Sequence, residues 1–309
     1  MRRAPLALAL LLAAPTLSCG VGTILGRNGA ALFEQPARIA HKVTRPYRPD
    51  ARLAVLWIGH ASTLLQLDDK LVLTDPVFTD TVGQLSKRLV EPGLDPAALD
   101  HVDAAVISHM HFDHLSPGSL GMIEHKLGFL VVPQKGTVCV PDLAFETVEL
   151  AAWKSHERGG LRITAVPVRH SGFRWGIDDA WMDTSFTGYV IEYHGLTVYF
   201  GGDTAYARES FEATRRRFPT IDLAVLPIAP INPRALMESR HMDPREALLA
   251  FRDLGARWMV PVHFGTFVNS IDAAEEPLRV LAAEMKAQGV GEGRVDVLAP
   301  GEQRVLIPR

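Results

Sequence analysis

The chain has few cysteines, no dense basic tract and no apolar run long enough to span a membrane. Only two of its 309 residues are cysteines, Cys19 and Cys139, which excludes a disulfide framework and a thiolate-rich metal site. We expect Cys139 to be a small buried apolar residue. The net charge is −3, and the densest basic stretch, Arg215–Arg217, falls in a helix-like segment. Nucleic acid is therefore not an expected partner, and any metal site must use histidine and carboxylate side chains.

The first 19 residues have the pattern of a secretory signal peptide. Two arginines precede an apolar stretch, Leu6–Ala14, that is well short of the ~20 residues that a membrane-spanning helix needs. Cys19 follows Thr-Leu-Ser, which resembles a bacterial lipobox, although Thr16 occupies the place of the usual aliphatic residue. We predict a signal peptide over 1–19 and a protein anchored to the bacterial envelope through lipid on Cys19, on the periplasmic side. A secreted protein and an uncleaved anchor are the alternatives.

The rest of the chain divides into a short segment and one large domain. Residues 20–50 are mixed in composition, without a clear period, and we interpret them as a tether and a segment on the domain surface. From residue 51 to residue 309, short apolar or alternating runs separated by turn residues predict strands. Helical patterns occur in both halves of this domain. Two strand-rich halves with helices predict two sheets packed face to face with helices outside, an α/β (α+β) fold.

Two local predictions concern the ends of elements. Ser116 and Pro117 have the types preferred at the N-cap and first position of a helix, and we expect that helix to end at Gly128. The sequence "VDVLAPGEQRVLIP" near the C-terminus predicts a final β-hairpin.

A histidine or an aspartate follows the end of several predicted strands. His109 follows "AVIS", His170 follows "AVPVR", Asp203 follows "TVYFGG" and His263 follows "MVPV". Buried polar groups without partners cost a few kcal/mol each, roughly 2–7 in model systems, so a common partner at one edge of the fold explains this recurrence. The pattern predicts a metal site assembled from distant parts of the chain.

The segment "HMHFDH" concentrates candidate ligands. His109 and His111 are two residues apart, so their imidazoles project to the same side of an extended segment, while Asp113 and His114 lie beyond, where the chain turns into its helix. Imidazole and carboxylate together suit zinc, and also manganese or iron. A pair of divalent ions roughly 3.5–4 Å apart would activate a water and clamp the entering and leaving oxygens of a displacement.

"HMHFDH" has the form HxHxDH, which resembles the metallo-β-lactamase superfamily. The segments "WIGHAST", "LTDPVF", "ISHMHFDHL", "VPVRH", "GGDTAY", "HMDP" and "VHFGTF" occur in the order found in the branch that contains the N-acylphosphatidylethanolamine-hydrolysing phospholipase D. The resemblance runs from about Leu53 to Phe267. It implies a four-layer αββα sandwich and two divalent metal ions, with zinc the expected metal. It implies that His109, His111 and His170 hold one metal, that Asp113, His114 and His263 hold the other, and that Asp203 bridges both.

Three further residues match family positions near the metals. For His241 we expect a hydrogen bond or proton donation to the substrate; alternatively it sits beside the helix start at Asp243-Pro244. For His60 we expect either an orienting hydrogen bond to a metal ligand or simple packing. Asp75 is expected to fix a ligand histidine or a loop, or to serve only in a turn. The resemblance thus implies Asp113, Asp203 and His241 as catalytic residues.

The resemblance implies a phosphodiesterase of the phospholipase D type, acting on N-acylphosphatidylethanolamine-like lipids through a hydroxide activated by two metals. The alternative is a lactonase, or another acyl hydrolase, on a small lactone or phosphorylated substrate. A true β-lactamase is not expected, because the second ligand set lacks cysteine. A binding-only envelope protein is a further alternative, although such a module has no need for an open coordination position. One departure affects the substrate: Ala235 follows Arg234 where the phospholipase branch has aromatic residues.

Overall fold

The structure is a computed structural model that describes residues 22–40, 42–83, 86–174, 184–291 and 293–309. The predicted signal peptide and Cys19 lie outside the described residues. Within the part of the chain that is described, no helix has the length and apolar character required to cross a membrane.

The described residues form fifteen strands and six α-helices, numbered in chain order. The strands are β1 (Ala51–Gly59), β2 (Ser62–Leu67), β3 (Lys70–Thr74), β4 (Thr81–Val82), β5 (Ser86–Lys87), β6 (Val102–Val106), β7 (Leu127–Pro133), β8 (Glu146–Leu150), β9 (Ser155–Arg158), β10 (Leu161–Val166), β11 (Gly188–Tyr193), β12 (Leu196–Phe200), β13 (Leu223–Pro227), β14 (Trp258–Val262) and β15 (Gln303–Pro308). The helices are α1 (22–31), α2 (Pro117–Met122), α3 (Arg208–Arg217), α4 (Arg234–Met237), α5 (Pro244–Leu254) and α6 (Glu276–Gln288).

The strands form two large sheets and one small ribbon. The first sheet has the order β15-β1-β2-β3-β6-β7-β8, and the second has the order β14-β13-β12-β11-β10-β9. Strands β3, β6, β7 and β8 run parallel to one another, as do β12, β13 and β14. The carboxyl ends of parallel strands lie at one edge of a sheet, so whatever follows these strands is gathered there.

The sheets pack face to face, as predicted, because alternate residues of their strands are apolar. In β1, Leu53, Val55 and Trp57 face the second sheet in the main core, whereas Leu56 and Ile58 face outward into a second cluster. Helix α2 covers that outer cluster, and helices α3, α5 and α6 cover the outer face of the second sheet. This arrangement is a four-layer αββα sandwich, which confirms the predicted fold class.

Helix α5 shows how sequence sets an element boundary. The Asp243 side chain accepts from the backbone N–H of Glu246, whose side chain accepts from the N–H of Asp243, and Pro244 is the first helical residue. Gly255 ends the helix with a φ of 66°, in the left-handed region that glycine adopts at little cost.

Two local predictions were wrong. Helix α2 begins at Pro117 with Ser116 as its cap, but it ends at Met122, and Gly128 lies within β7. A Cβ at Gly128 would lie 2.5 Å from the carbonyl oxygen of Asp103, so this glycine permits close strand packing and does not end a helix. The C-terminal hairpin does not form either. Val295 bridges to Met259 beside the second sheet, while β15 pairs with β1 of the first.

The segment before β1 contains helix α1, which lies against a loop near the C-terminal part of the domain. The Arg27 guanidinium donates to the carbonyls of Ser270 and Asp272 at 3.2 and 2.8 Å. The Asn28 amide donates to the carbonyl of Val268 at 2.9 Å. Because these contacts join residues more than 200 positions apart, no local pattern in the sequence predicts them.

Candidate metal centre

The predicted ligands come together at one edge of the sandwich. His263 directly follows β14, Asp203 follows β12, and His170 follows β10, which runs in the same direction as β12. His109 follows β6 of the facing sheet. These four side chains, which span residues 109 to 263 in the sequence, therefore lie at the same edge of the two sheets, as the strand endings predicted.

Three histidines form the first group. The Nε2 atom of His109 lies 2.8 Å from Nδ1 of His111, and Nε2 of His170 lies 3.5 Å from the same Nδ1. These three ring nitrogens all lie within 4.8 Å of one another. Imidazole nitrogens packed this closely around one point are arranged as a tridentate site for a cation.

A second group adjoins the first and contains His60, Asp113, His114 and His263. The Asp113 carboxylate lies 3.0 Å from Nε2 of His60 and 3.9 Å from Nε2 of His114. With imidazole and carboxylate donors, the group also suits a divalent ion.

One oxygen of Asp203 lies between the two groups. Its Oδ2 is 3.0 Å from Nε2 of His263 and 3.3 Å from Nε2 of His114, and it is 3.9 Å from Nε2 of His170 in the first group. Asp203 is 3% exposed. The carboxylate thus has the position of a bridge between two adjoining cation sites.

Unpartnered buried atoms test whether this cluster fits metal ions. Among the described residues, Nε2 of His114, Nε2 of His263 and Oδ1 of Asp203 are buried and have no hydrogen-bond partner. A buried polar atom without a partner costs about 1–3 kcal/mol, and these atoms belong to side chains that converge on the same place. Cations bound there would satisfy them, so the residues fit a pair of divalent metal ions.

Asp75 and Ser108 orient two of the histidines. The Asp75 carboxylate accepts from the Ser108 amide and hydroxyl, both at 2.6 Å, and from Nδ1 of His114 at 2.7 Å. Since the Ser108 hydroxyl donates its proton to Asp75, its oxygen accepts from Nδ1 of His109 at 2.9 Å. Both histidines therefore carry a proton on Nδ1, and the lone pair of Nε2 on His109 is directed into the site.

Backbone carbonyls orient the other two strand-end histidines in the same way. Nδ1 of His170 donates to the carbonyl of Arg240 at 2.9 Å, and Nδ1 of His263 donates to the carbonyl of Ala229 at 2.9 Å. A carbonyl can only accept, so each ring keeps its Nε2 lone pair for the site. Such outer contacts fix the tautomer and orientation of metal-binding histidines.

Burial and neighbouring charge set the protonation of the cluster. Burial, together with neighbouring histidines, holds the pKa of His109 well below its usual value, and burial does the same for His170. Burial opposes charge on His114, but the carboxylates of Asp203, Asp113 and Asp75 outweigh it and raise the pKa of His114 well above its usual value. Neutral imidazole is the form that binds metal. The raised pKa at His114 shows that the carboxylates favour positive charge at this position.

The two carboxylates of the site, Asp113 and Asp203, stay ionised because neighbouring histidines lower their pKa values. Burial disfavours their charged forms, yet His114 and His60 lower the pKa of Asp113, and His263 and His114 lower the pKa of Asp203. These ionised carboxylates, together with the neutral imidazoles of His109 and His170, form a donor set for divalent cations.

The backbone at the site is strained in three places. His60, Asp75 and His263 have φ values of 55°, 34° and 66°, in a region that residues other than glycine seldom adopt. Such conformations cost about 1–3 kcal/mol each and cluster at functional sites. Gly202 has a φ of 56°, and a Cβ there would lie 2.2 Å from Cβ of Ser108, so glycine is needed to bring the Asp203 loop against Ser108.

The structure places both His60 and His241 beside the ligand groups. His60 is 1% exposed, its Nε2 contacts Asp113, and burial beside His263 lowers its pKa to about 3. The neutral ring therefore donates to Asp113 and orients it. His241 points into the site, with Nδ1 at 3.5 Å from Oδ2 of Asp203, and burial lowers its pKa to about 4.

A cavity of about 450 Å³ opens over the cluster. Its lining includes Asp203, His241 and the guanidinium-bearing Arg240, and it extends over Ala235 and Leu236 of α4. The metal-site cavity, as we call it, has the size of a small-molecule pocket, which is about 300–1,000 Å³.

Sequence reasoning missed Ser108, Arg240 and Asn269. Ser108 directly precedes His109, but its link to Asp75 spans 33 residues and depends on β3 pairing with β6. Arg240 precedes the candidate His241, and Asn269 lines the cavity from the loop after β14.

Of the histidines assigned no role, His101, His125 and His194 are exposed and His156 is half-buried in β9, while His41 lies outside the described residues. Cys139 is half-buried, less than predicted.

The chain is similar in sequence and in fold to several known proteins. The family model of the Beta-lactamase superfamily domain matches residues 70–264. An uncharacterized protein of Mycobacterium tuberculosis is 36% identical over 92% of this chain and 76% of its own length. The N-acyl-phosphatidylethanolamine-hydrolyzing phospholipase D 1 of Caenorhabditis elegans is 30% identical over 74% of this chain and 68% of its own length. In structure, the metallo hydrolase Igni18 of Ignicoccus hospitalis aligns with a TM-score of 0.60 and 21% identity, covering 82% of this chain and 97% of its own.

Proposed function

The chain belongs to the metallo-β-lactamase superfamily and is a metal-dependent hydrolase, and we propose that it is a binuclear phosphodiesterase of the phospholipase D type. The observation that carries the proposal is the position of Asp203. One of its oxygens lies within 3.9 Å of nitrogens from both ligand groups, which is the arrangement expected for two ions that share a carboxylate. Zinc is the proposed metal, since imidazole and carboxylate ligands suit it.

Two divalent ions in these positions would supply an acidified water and withdraw charge from the phosphoryl oxygens. Residues of the protein would accept the proton from the attacking water and contact the departing oxygen. Asp113 and Asp203 are ionised before the reaction, and one of these carboxylates would accept the proton that the attacking water releases. His241 lines the cavity beside Asp203, in a position to contact the departing oxygen of a bound diester.

Arg240 favours an anionic substrate. Arg240 lines the metal-site cavity, and its carbonyl accepts a hydrogen bond from Nδ1 of His170. A guanidinium in this position would pair with a phosphodiester, whereas a neutral lactone has no charge for it to meet.

We propose N-acylphosphatidylethanolamine-like lipids as the substrate class. The similarity to the phospholipase D of Caenorhabditis elegans supports this choice, although α4 presents Ala235 and Leu236 to the cavity instead of the aromatic residues of that branch. Lipid on Cys19 would hold the protein at the envelope membrane, where it would meet a lipid substrate directly. If that anchor exists, Cys19→Ser will move the protein from the membrane to the soluble fraction; an unchanged membrane fraction would contradict it.

The reaction class is tested with zinc-loaded protein on bis-p-nitrophenyl phosphate and on a panel of lactones. We expect release of p-nitrophenol, little turnover of lactones, and loss of activity in His109→Ala. The lipid class is tested on vesicles that contain N-acylphosphatidylethanolamine, with detection of phosphatidic acid. Turnover of lactones without turnover of the diester would replace the phosphodiesterase by a lactonase.

A further inference from the structure

A second cavity adjoins the metal-site cavity and is bounded by helix α1. Its volume is about 470 Å³, and we call it the side pocket. From α1 and the residue after it, Ile24, Leu25 and Leu32 line one side. Phe112 and Phe267 line the opposite side. The family match begins at residue 70, so one wall of this pocket is supplied by a segment outside the matched domain.

Helix α1 is held in place over this pocket. Arg27 binds the carbonyls of Ser270 and Asp272, and Asn28 binds the carbonyl of Val268. Beyond its last turn, Lys87 binds the carbonyl of Glu34. The pocket is therefore built between two fixed walls, although Leu25 is 67% exposed and Leu32 is 41% exposed. Apolar surface of this kind is stabilised when a ligand covers it.

The side pocket adjoins the candidate metal centre and shares two lining residues with the metal-site cavity. Asp113 and Asn269 line both cavities. Asp113 is also the one charged residue that lines the side pocket within the described part of the chain. The described residues that line the side pocket therefore offer hydrocarbon contacts and no cationic partner for a phosphate, whereas the metal-site cavity offers Arg240 and the candidate cation sites.

We propose that the side pocket binds a hydrocarbon chain of the substrate while the phosphodiester lies in the metal-site cavity. This inference rests on the proposed function and makes it more specific. Helix α1 would then contact the hydrocarbon chain of the substrate, and Asn269, which lines both cavities, would lie where the polar and apolar parts of the ligand meet.

Two glycines of α1 provide a matched pair of variants. Gly29 lines the side pocket and Gly26 does not, and a Cβ at either position meets no atom within 4 Å. Gly29→Trp would place an indole in the pocket, whereas Gly26→Trp makes the same substitution in the same helix away from it. Equal helical circular dichroism in the two variants confirms that α1 is retained.

The activity test compares methyl and decyl p-nitrophenyl phosphate. Burial of each methylene contributes up to about 0.8 kcal/mol, or about fourfold. We expect the wild type and Gly26→Trp to prefer the decyl diester by at least about tenfold in kcat/KM. In Gly29→Trp we expect this preference to disappear while the rate on the methyl diester persists. Equal rates on both diesters in the wild type, or an unchanged preference in Gly29→Trp, would overturn the proposal.

A binding test separates this proposal from the proposed function. Calorimetry compares decylphosphocholine, below its micelle concentration, with phosphocholine. We expect tighter binding of the decyl compound with a negative heat-capacity change, the marker of apolar burial, and loss of both in Gly29→Trp. Binding that depends on the alkyl chain, without hydrolysis of either diester, would support the side pocket as a chain-binding site and refute the phosphodiesterase activity. Hydrolysis of the diesters without chain-dependent binding would support the phosphodiesterase activity and refute the side pocket as a chain-binding site.

Discussion

Replacing Asp75 by asparagine tests whether hydrogen bonds outside the ligand set hold the centre together. The Asp75 carboxylate is fully buried and accepts three hydrogen bonds, two from Ser108 and one from Nδ1 of His114. Asparagine has the same shape but one acceptor oxygen and one amide donor. In one orientation its amide faces Nδ1 of His114, and in the other it faces the N–H of Ser108. In either orientation the asparagine amide faces another N–H donor, so one hydrogen bond is lost.

The size of the effect follows from the bond that is lost. A hydrogen bond to a charged group contributes about 1.5–3 kcal/mol. To accept from the asparagine amide, His114 must move its proton to Nε2, which removes the lone pair directed at the site. We therefore expect metal affinity to fall about ten- to a hundredfold, the range found for residues that orient metal ligands.

The assay is competition for zinc between metal-free protein and a chromogenic chelator. Asp100→Asn, at an exposed position, is the matched control and should bind zinc like the wild type. Ser108→Ala should weaken binding less, because it removes the contact to His109 and leaves the contact between Asp75 and His114. An affinity of Asp75→Asn within twofold of the wild type would refute the reasoning.

Three other predictions concern the centre. His241→Ala should lower kcat about a hundredfold with metal content unchanged by elemental analysis; unaltered turnover would refute a role in the reaction. Chelation of the metals should lower the melting temperature in calorimetry, because each bound cation, at 100-fold excess over its Kd, stabilises the fold by about 2.7 kcal/mol; an unchanged melting temperature would argue against the cluster as a metal site. Gly202→Ala should cost about 2–4 kcal/mol in urea unfolding of the metal-free protein, from positive φ and the clash with Ser108. Gly195→Ala, with φ of 78° and open space around it, should cost only about 1–2 kcal/mol; equal costs would exclude the clash.

The histidines and the aspartate that follow predicted strands lie close together in the structure, because parallel strands end at the same edge of a sheet. Once residues near His109, His170 and His263 are recognised as strand endings, parallel order brings them to one edge. Asp75 was expected to fix a ligand histidine or a loop, or to serve in a turn, and the structure shows that it contacts both His114 and Ser108.

The errors and omissions have a common cause in long-range packing. Gly128 has the residue type of a helix end, but it lies where β7 approaches the Asp103 carbonyl. The last strand pairs with β1, about 250 residues earlier in the chain, and no local turn signal reveals that partner. The side pocket depends on Asn28 and Arg27 contacting the loop after β14, so only the folded chain shows that α1 borders the site.

An anomalous-difference map from a crystal of zinc-loaded protein tests the central claim most directly. We predict two peaks roughly 3.5–4 Å apart, the spacing of two-metal hydrolases. One should touch the ring nitrogens of His109, His111 and His170, the other those of His114 and His263, with the Asp203 carboxylate between them. A single peak, or two peaks that do not share Asp203, would contradict the binuclear centre.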